Sequence, residues 1–214
     1  MPKNIIIVGA GGFGREVCGY AEDCIAAGAP WRIKGFIDDN ATVLDDYDYP
    51  WPIVGCIADY APQPDDAFLL AIGAPALKKK ISERLLGRGA KFETLVHPTA
   101  RIGRNVVVGQ GCIFCPQVNI TCDCVIGDFV ILNAKSGCGH DARVGHWATF
   151  SAFCDVTGFC QVGEGVFLAS GVSTVPSIKI GDWASVGINS SVVVNIKPGL
   201  SVYGNPAVPI GKAR

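Results

Sequence analysis

The run Val125-Ile-Gly-Asp-Phe-Val-Ile-Leu-Asn-Ala-Lys-Ser-Gly-Cys-Gly-His-Asp-Ala-Arg-Val-Gly-His-Trp-Ala-Thr-Phe150 decides the architecture of the second half of the chain. Ile126, Leu132, Cys138, Val144 and Phe150 stand six residues apart. The same step taken backward reaches Ile120, Phe114, Val108 and Ile102, and forward it reaches Val156, Val162, Leu168, Thr174, Ile180, Val186 and Val192. Thr174 alone is polar. A glycine often follows, as at Gly103, Gly109, Gly127, Gly139, Gly145, Gly163, Gly181 and Gly187, and a small apolar residue often stands two places before, as at Ala100, Val106, Cys112 and Ala148. Neither an α-helix, with its period of 3.6, nor a plain strand, with its period of two, sustains this pattern. Period six requires a short flat face and a corner. Three such units close a triangular coil of eighteen residues, with the large apolar side chain inward and the glycine easing the turn. Successive coils then stack as parallel strands about 4.8 Å apart. The expected fold is a left-handed parallel β-helix with its register unbroken from residue 102 to about 197.

Upstream the periodicity changes. Asn4 to Val8 reads as a buried strand, followed by Gly9-Ala-Gly-Gly-Phe-Gly14 and a helical stretch through about Ala27. Further strands are expected over Arg32–Ile37, ending at Asp38 and Asp39, and over Ala67–Ile72, leading through Gly73 into a helix from Pro75 with Leu77, Ile81 and Leu85 on one face. Lys91 to Val96 reads as a last strand, and residues 40–66 as an irregular connection. This is a small Rossmann-like α/β sheet. Its glycine turn lets a backbone approach a phosphate at a helix N-terminus, and an acidic residue at the end of the second strand suits a ribose or base edge. The space before the repeats is too small for a dehydrogenase, so a substrate nucleotide is expected in place of NAD. The domains are read as 1–96, the Rossmann-like nucleotide-binding sheet, and 97–214, the β-helix with its C-terminal tail, with the boundary near His97-Pro98.

Composition removes several function classes. The formal charge of -1, with basic residues scattered, gives no footprint for nucleic acid or an anionic membrane surface. No uncharged run reaches the roughly 18 residues of a membrane span, and the first residues run straight into a strand without a signal peptide's plan, so a cytoplasmic protein is expected. Ten cysteines raise the question of zinc or disulfides. Cys112, Cys124, Cys154 and Cys160 share one inward position of the repeat and Cys138 another, which suits cysteine as a small buried hydrophobe, and no metal is expected.

Together, Gly9-Ala-Gly-Gly-Phe-Gly-Arg-Glu-Val17, Gly35-Phe-Ile-Asp-Asp39, the hexapeptide β-helix and Val202-Tyr-Gly-Asn-Pro-Ala207 resemble the bacterial sialic acid O-acetyltransferase (NeuD-like) family, which includes N-acetyltransferases of nucleotide-linked amino sugars. The resemblance covers essentially the whole chain. It implies an acetyltransferase that uses acetyl-CoA as cosubstrate. The N-terminal domain would hold the sugar nucleotide, and a homotrimer of β-helices would hold acetyl-CoA in the groove between subunits. The substrate residues would be Gly9, Gly11, Gly12, Phe13, Gly14, Asp38, Asp39, Gly73 and Asn133, with Phe13 standing where many members carry a histidine. Thr149, Gly158, Gly187 and Ile188 would bind acetyl-CoA.

Acyl transfer needs a base to take a proton as an amine or hydroxyl attacks the thioester carbon. His140-Asp141 matches the family's catalytic histidine and following acidic residue, the carboxylate fixing the imidazole's tautomer. His97, before a proline at the domain junction, reads as structural. Counting the coil places Gly158 eighteen residues on, beneath His140, leaving a notch in which its N–H can meet the developing oxyanion. A metal-dependent hydratase of the γ-class carbonic anhydrase type would need three histidines gathered at an interface, and His97, His140 and His146 are not so spaced. Sialic acid O-acetylation and a non-catalytic, nucleotide-sensing trimeric scaffold remain as alternatives.

Overall fold

The structure, a computed structural model, describes residues 2–213. The first module is a four-stranded parallel sheet formed by β1 (Lys3–Val8), β2 (Trp31–Ile37), β3 (Ile53–Gly55) and β4 (Asp66–Leu70) in the order β3-β2-β1-β4. Helices α1 (Gly12–Ala26) and α2 (Pro75–Leu86) complete it. The β1 residues Ile5 to Val8 are fully buried, which is what an unbroken Ile/Val run in a central parallel strand requires. Two sequence expectations need correction. The segment 40–66 contains β3, a short parallel edge strand on β2. Leu77 is exposed, because α2 buries Lys78, Ile81, Ser82 and Leu85 instead.

Beyond the sheet the chain winds into a parallel β-solenoid. Face one carries β5 (Leu95–Val96), Ile113–Phe114, Ile131–Leu132, Thr149–Phe150, Phe167–Leu168, Ser185–Val186 and Leu200–Tyr203. Face two runs from Arg101–Ile102 to Ser191–Val192, and face three from Val107–Val108 to Lys179–Ile180. Partners such as Ile131 and Thr149, or Val125 and Arg143, are eighteen residues apart, as the coil count requires. The stretch expected as one strand over 91–96 divides: Phe92 bridges Phe68 of the first sheet, whereas β5 already pairs with Ile113–Phe114 of the solenoid. At the far end the register shortens. Ile180 pairs with Ile196 and Ser185 with Ser201, sixteen residues on. Pro198 has no N–H for the ladder. Ile196 donates to the Lys179 carbonyl instead, and the Asn195 side chain accepts the Lys179 N–H at 2.8 Å.

The glycines do other work than easing turns. The left-handed residue of each corner lies two places further on, at Asn105, Asp123, Phe129, Asp141, Trp147, Phe159 or Trp183, all with φ between 55° and 61°. This is the third residue of a type II turn. The glycines after the large apolar residues serve stacking: a Cβ on Gly127 would stand 2.8 Å from the His146 nitrogen, and one on Gly145 2.6 Å from the Glu164 nitrogen. Face three is followed by glycine at every turn from Gly109 to Gly181, and a Cβ at each would stand within 3 Å of an atom of the next coil.

The cysteines are unpaired, and those of the inward positions, Cys112, Cys124, Cys138, Cys154 and Cys160, are all within 1% of complete burial; Cys122 is exposed. Cys112, Cys124, Cys154 and Cys160 each point a thiol at the carbonyl fifteen residues ahead, at 3.1 to 3.4 Å, and Ser136 does the same at 2.7 Å. A small side chain with a weak donor thus gives a corner carbonyl a partner that a valine could not. No described helix is long and apolar enough to cross a membrane.

The first module sits on face one and on the corner preceding it. Phe129 stacks on Trp147 with ring centroids 6.3 Å apart, and Phe92 meets Phe129 edge-on. Trp147 donates its indole N–H to Ser82 at 2.9 Å, while Lys79 pairs with Glu164 and lies over the Trp147 ring. Ile113, Cys115 and Ile131 share one buried cluster with Val17, Cys18 and Ala21 of α1. The two modules therefore share a core.

Candidate active site

Three histidines take three different environments. His97 is buried, its Nε2 3.1 Å from Asp23 and its Nδ1 2.8 Å from the Thr99 hydroxyl. His146 accepts the Asp128 N–H on Nδ1 at 2.9 Å, so it caps a corner of the neighbouring coil. His140, on the corner between faces two and three, is exposed. Its Nδ1 lies 2.9 Å from Asp141 Oδ2, and its ring meets Phe159 edge-on at 5.0 Å. With the Nδ1 proton donated to that carboxylate, Nε2 keeps its lone pair.

Gly158 lies directly below, and a Cβ there would fall 2.7 Å from His140 Nε2 and 2.8 Å from Cε1. The imidazole occupies the space a side chain would need. On the corners after face three, the turn N–H at 110, 128 and 164 is accepted by the side chain eighteen residues ahead, Asp128, His146 or Asp182. Below His140 the residues in that column are Gly158 and Pro176, which have no acceptor to offer. The N–H groups of His140 and Gly158 accordingly have no acceptor among the described residues. An uncapped N–H beside an unprotonated imidazole nitrogen is an arrangement that can hold an oxyanion and accept a proton. Below and beside it the surface is apolar: Phe159, Val175, Val193 and Val194 are all more than 40% exposed.

The glycine turn of the first module has a division of labour. A Cβ on Gly14 would run into the Gly9 carbonyl, and Gly9 adopts φ 91° against Ile72, so both are required by the module itself. Gly11, Gly12 and Gly73 meet nothing within 4 Å. They leave open backbone at the carboxyl ends of β1 and β4, where the strand order reverses and open α/β sheets bind their ligands. Asp38 accepts the Ala10 N–H at 2.8 Å and the Asn40 N–H at 2.9 Å. Asp39 accepts from the Cys56 thiol at 2.8 Å and the Ala58 N–H at 3.1 Å, and these bonds hold its carboxyl below the usual range. Both acidic residues thus brace loops of the module at the carboxyl end of β2.

A pocket of about 190 Å³ between the modules brings together Phe13, Gly73, Asn133 and Thr149, with Glu16 and Ser151 beside them. Glu16 stands in the glycine-turn motif but carried no assigned role, since nothing in a linear motif shows which solenoid face it will oppose. Thr149 belongs to this group by position. Gly187 and Ile188 lie two coils further along on the corner between faces one and two; a Cβ on Gly187 would strike Tyr203, and Ile188 is 53% exposed. His140 is one corner away from the pocket. Among the described residues no three His, Cys, Asp or Glu side chains gather as a metal site.

Residues 4–85 match the PglD N-terminal domain. Over 114 residues the chain is 32% identical to the UDP-N-acetylbacillosamine N-acetyltransferase of Bacillus subtilis (strain 168), covering 52% of the chain and 50% of that protein. Over 140 residues it is 28% identical to the GDP-perosamine N-acetyltransferase of Escherichia coli O157:H7, covering 64% and 62%. The chain thus spans between half and two thirds of the length of these curated relatives. Its fold superposes on PerB from Caulobacter crescentus, solved in complex with CoA and GDP-perosamine, with a TM-score of 0.88 at 26% identity over 97% of both chains. With an N-terminal domain that matches the PglD N-terminal model and a hexapeptide solenoid behind it, the chain is similar to the GDP-perosamine-bound acetyltransferase PerB over nearly its whole length.

Proposed function

We propose that the protein transfers an acetyl group from acetyl-CoA to the amino group of a nucleotide-linked amino sugar. The observation that carries this reading is the His140 corner, with Asp141 on Nδ1, Nε2 free, and Gly158 offering an uncapped N–H beneath. The neutral amine attacks the thioester carbon, His140 Nε2 takes the amine proton, and the Gly158 N–H stabilises the oxyanion before CoA leaves as the thiol. Asp141 orients the ring and stabilises its protonated form. Gly187 and Ile188 line the path of the pantetheine arm. Gly11, Gly12, Phe13, Gly73 and Asn133 receive the sugar nucleotide, with Gly9, Gly14, Asp38 and Asp39 shaping the loops around it.

The working unit in this reading is a homotrimer. His140 and Asn133 stand on different corners of the solenoid, which supports a site completed by a second chain. A second copy packed along face two supplies the missing half and covers Phe159, Val175 and Val194. The cytoplasm, where acetyl-CoA and nucleotide sugars are available, is the expected compartment.

The test is to incubate the protein with acetyl-CoA and nucleotide-linked amino sugars, beginning with GDP-perosamine and UDP-N-acetylbacillosamine, and to follow thiol release with product mass. An added acetyl mass on the amine is the expected result. Acetylation confined to sialic acid hydroxyls would move the reading to O-acetyl transfer, and no turnover with intact nucleotide-sugar binding would favour a scaffold. Sedimentation showing a monomer at micromolar concentration would remove the shared site.

A further inference from the structure

Lys78 is the one lysine buried among the described residues, 1% exposed, and no carboxylate accompanies it. Its Nζ crosses from α2 to face one of the solenoid, donating to the Ala148 carbonyl at 3.0 Å and to Thr149 Oγ1 at 2.7 Å. The Ala148 carbonyl also accepts the Ile131 N–H at 3.0 Å, so the ladder has no need of the lysine. Burial pushes the Lys78 amine well below the usual lysine range. A buried amine without a counter-charge is costly, and methionine would fill the same space without that cost.

The bond to Thr149 has a chemical consequence. A hydroxyl has one proton to give and two lone pairs. With Lys78 donating into the oxygen, Thr149 is held as an acceptor on that side, and its own proton is left to give. Thr149 Oγ1 makes no other hydrogen bond among the described residues. The side chain is 5% exposed and lines the intermodule pocket with Phe13, Gly73 and Asn133. We infer that Lys78 is a positioning residue that sets Thr149 as a hydrogen-bond donor to an oxygen of the nucleotide-linked sugar, placing Thr149 on the sugar side of the site and not on the acetyl-CoA side. The inference rests on the acetyltransferase reading for the nature of the ligand, while the contact between Lys78 and Thr149 comes from the fold alone. The oxygen received is an acceptor: a ring or glycosidic oxygen, a hydroxyl lone pair or a phosphoryl oxygen.

The experiment compares Thr149→Val, Thr149→Ser, Lys78→Met and the double variant Lys78→Met/Thr149→Val with wild type. Calorimetric binding of GDP-perosamine and UDP-N-acetylbacillosamine is measured without cosubstrate, followed by KM and kcat for sugar and acetyl-CoA. Thr149→Val should weaken sugar-nucleotide binding about tenfold, as loss of one hydrogen bond to a polar ligand does. Thr149→Ser should restore most of it, and KM for acetyl-CoA should not move. Lys78→Met should show a smaller loss in the same direction, and the double variant should bind no worse than Thr149→Val, because the lysine acts through the hydroxyl. Should Lys78→Met fail to fold, the Val and Ser pair still decides the role of Thr149. Unchanged sugar binding in Thr149→Val, or a loss in KM for acetyl-CoA instead, overturns the inference while leaving the acetyltransferase reading intact. Wild-type protein that binds no nucleotide-linked amino sugar brings down that reading and the inference with it.

Discussion

Replacing Gly158 by alanine tests the proposed chemistry at a single methyl group. The added Cβ would stand 2.7 Å from His140 Nε2 and 2.8 Å from Cε1, and ordinary contact begins near 3.4 Å. The backbone of Gly158 is fixed by its carbonyl, which accepts the Ser177 N–H at 3.0 Å, and by the neighbouring Phe159 N–H bonded to the His140 carbonyl at 2.9 Å. The imidazole must therefore be the part that yields, by something near 1 Å, sliding along Phe159 and away from the thioester position. A misplacement of about 1 Å costs on the order of 10²-fold in rate, or about 2.7 kcal/mol of barrier. Steady-state thiol release should show kcat/KM falling by about that factor, with the thermal midpoint nearly unchanged because His140 is exposed and free to move. In a His140→Ala background the same methyl should do little, since nothing remains for it to displace. A Gly158→Ala enzyme with near-normal turnover, or equal losses in both backgrounds, would refute the placement of the base over this glycine.

Further outcomes follow from the same geometry. His140→Ala should lower kcat by roughly 10²–10⁴-fold with both KM values little altered, and Asp141→Asn should cost less because the ring stays in place; steady-state kinetics of the two variants decide this. Gly11→Val should raise KM for the sugar nucleotide at least tenfold, leave KM for acetyl-CoA alone and leave the fold intact, because the space beside Gly11 is empty. Stability should fall as the pH rises above about 9. Burial pushes the Cys112 and Cys115 thiols up to about 12 and Cys154 up to about 11 from 9.0, so the folded chain keeps protons that the unfolded chain releases. Each contributes stability that is intact below 9 and lost at up to about 1.4 kcal/mol per pH unit above it. Lys78, whose amine is lowered from 10.5, acts in the opposite sense as a single group. Urea midpoints that stay level between pH 9 and 10.5 would contradict this balance.

What the sequence made legible was whatever repeats or is local. The step of six marked the inward residues because a coil of eighteen repeats its environment, and it placed Gly158 under His140 by counting alone. The β1 run and its glycine turn were equally plain, since strand, turn and helix adjoin in the chain. The same count misassigned the reason for the glycines: it registered where they recur, but whether a missing Cβ serves a dihedral or a neighbouring coil is settled only by what lies across the gap. Asn105, Asp123 and Asp141 carry the left-handed conformation readily, yet Phe129, Trp147 and Trp183 carry it too, and no residue-type rule would have put it there.

The contacts between modules were illegible for a related reason. Helix α2 has two faces to satisfy, one on its own sheet and one on the solenoid, so its buried residues do not form a single apolar stripe. Leu77 looked like a core position at helical spacing from Ile81 and Leu85, yet it is exposed, while Lys78 and Ser82 face inward to Thr149 and Trp147. A lysine and a serine four apart ordinarily read as a solvated face. Here they become a buried polar seam, because Phe129, Trp147 and Trp183 on the solenoid corner present an indole N–H and ring faces that polar side chains can meet. Gly111 and Gly165 stand in the same column and make room for the rings of Phe129 and Trp183. The mixture of glycine and aromatic residues along that corner is itself visible in the sequence. Only the seating of α2 against it turns the column into a docking surface, and with it fixes the pocket in which Thr149, Asn133 and Phe13 meet.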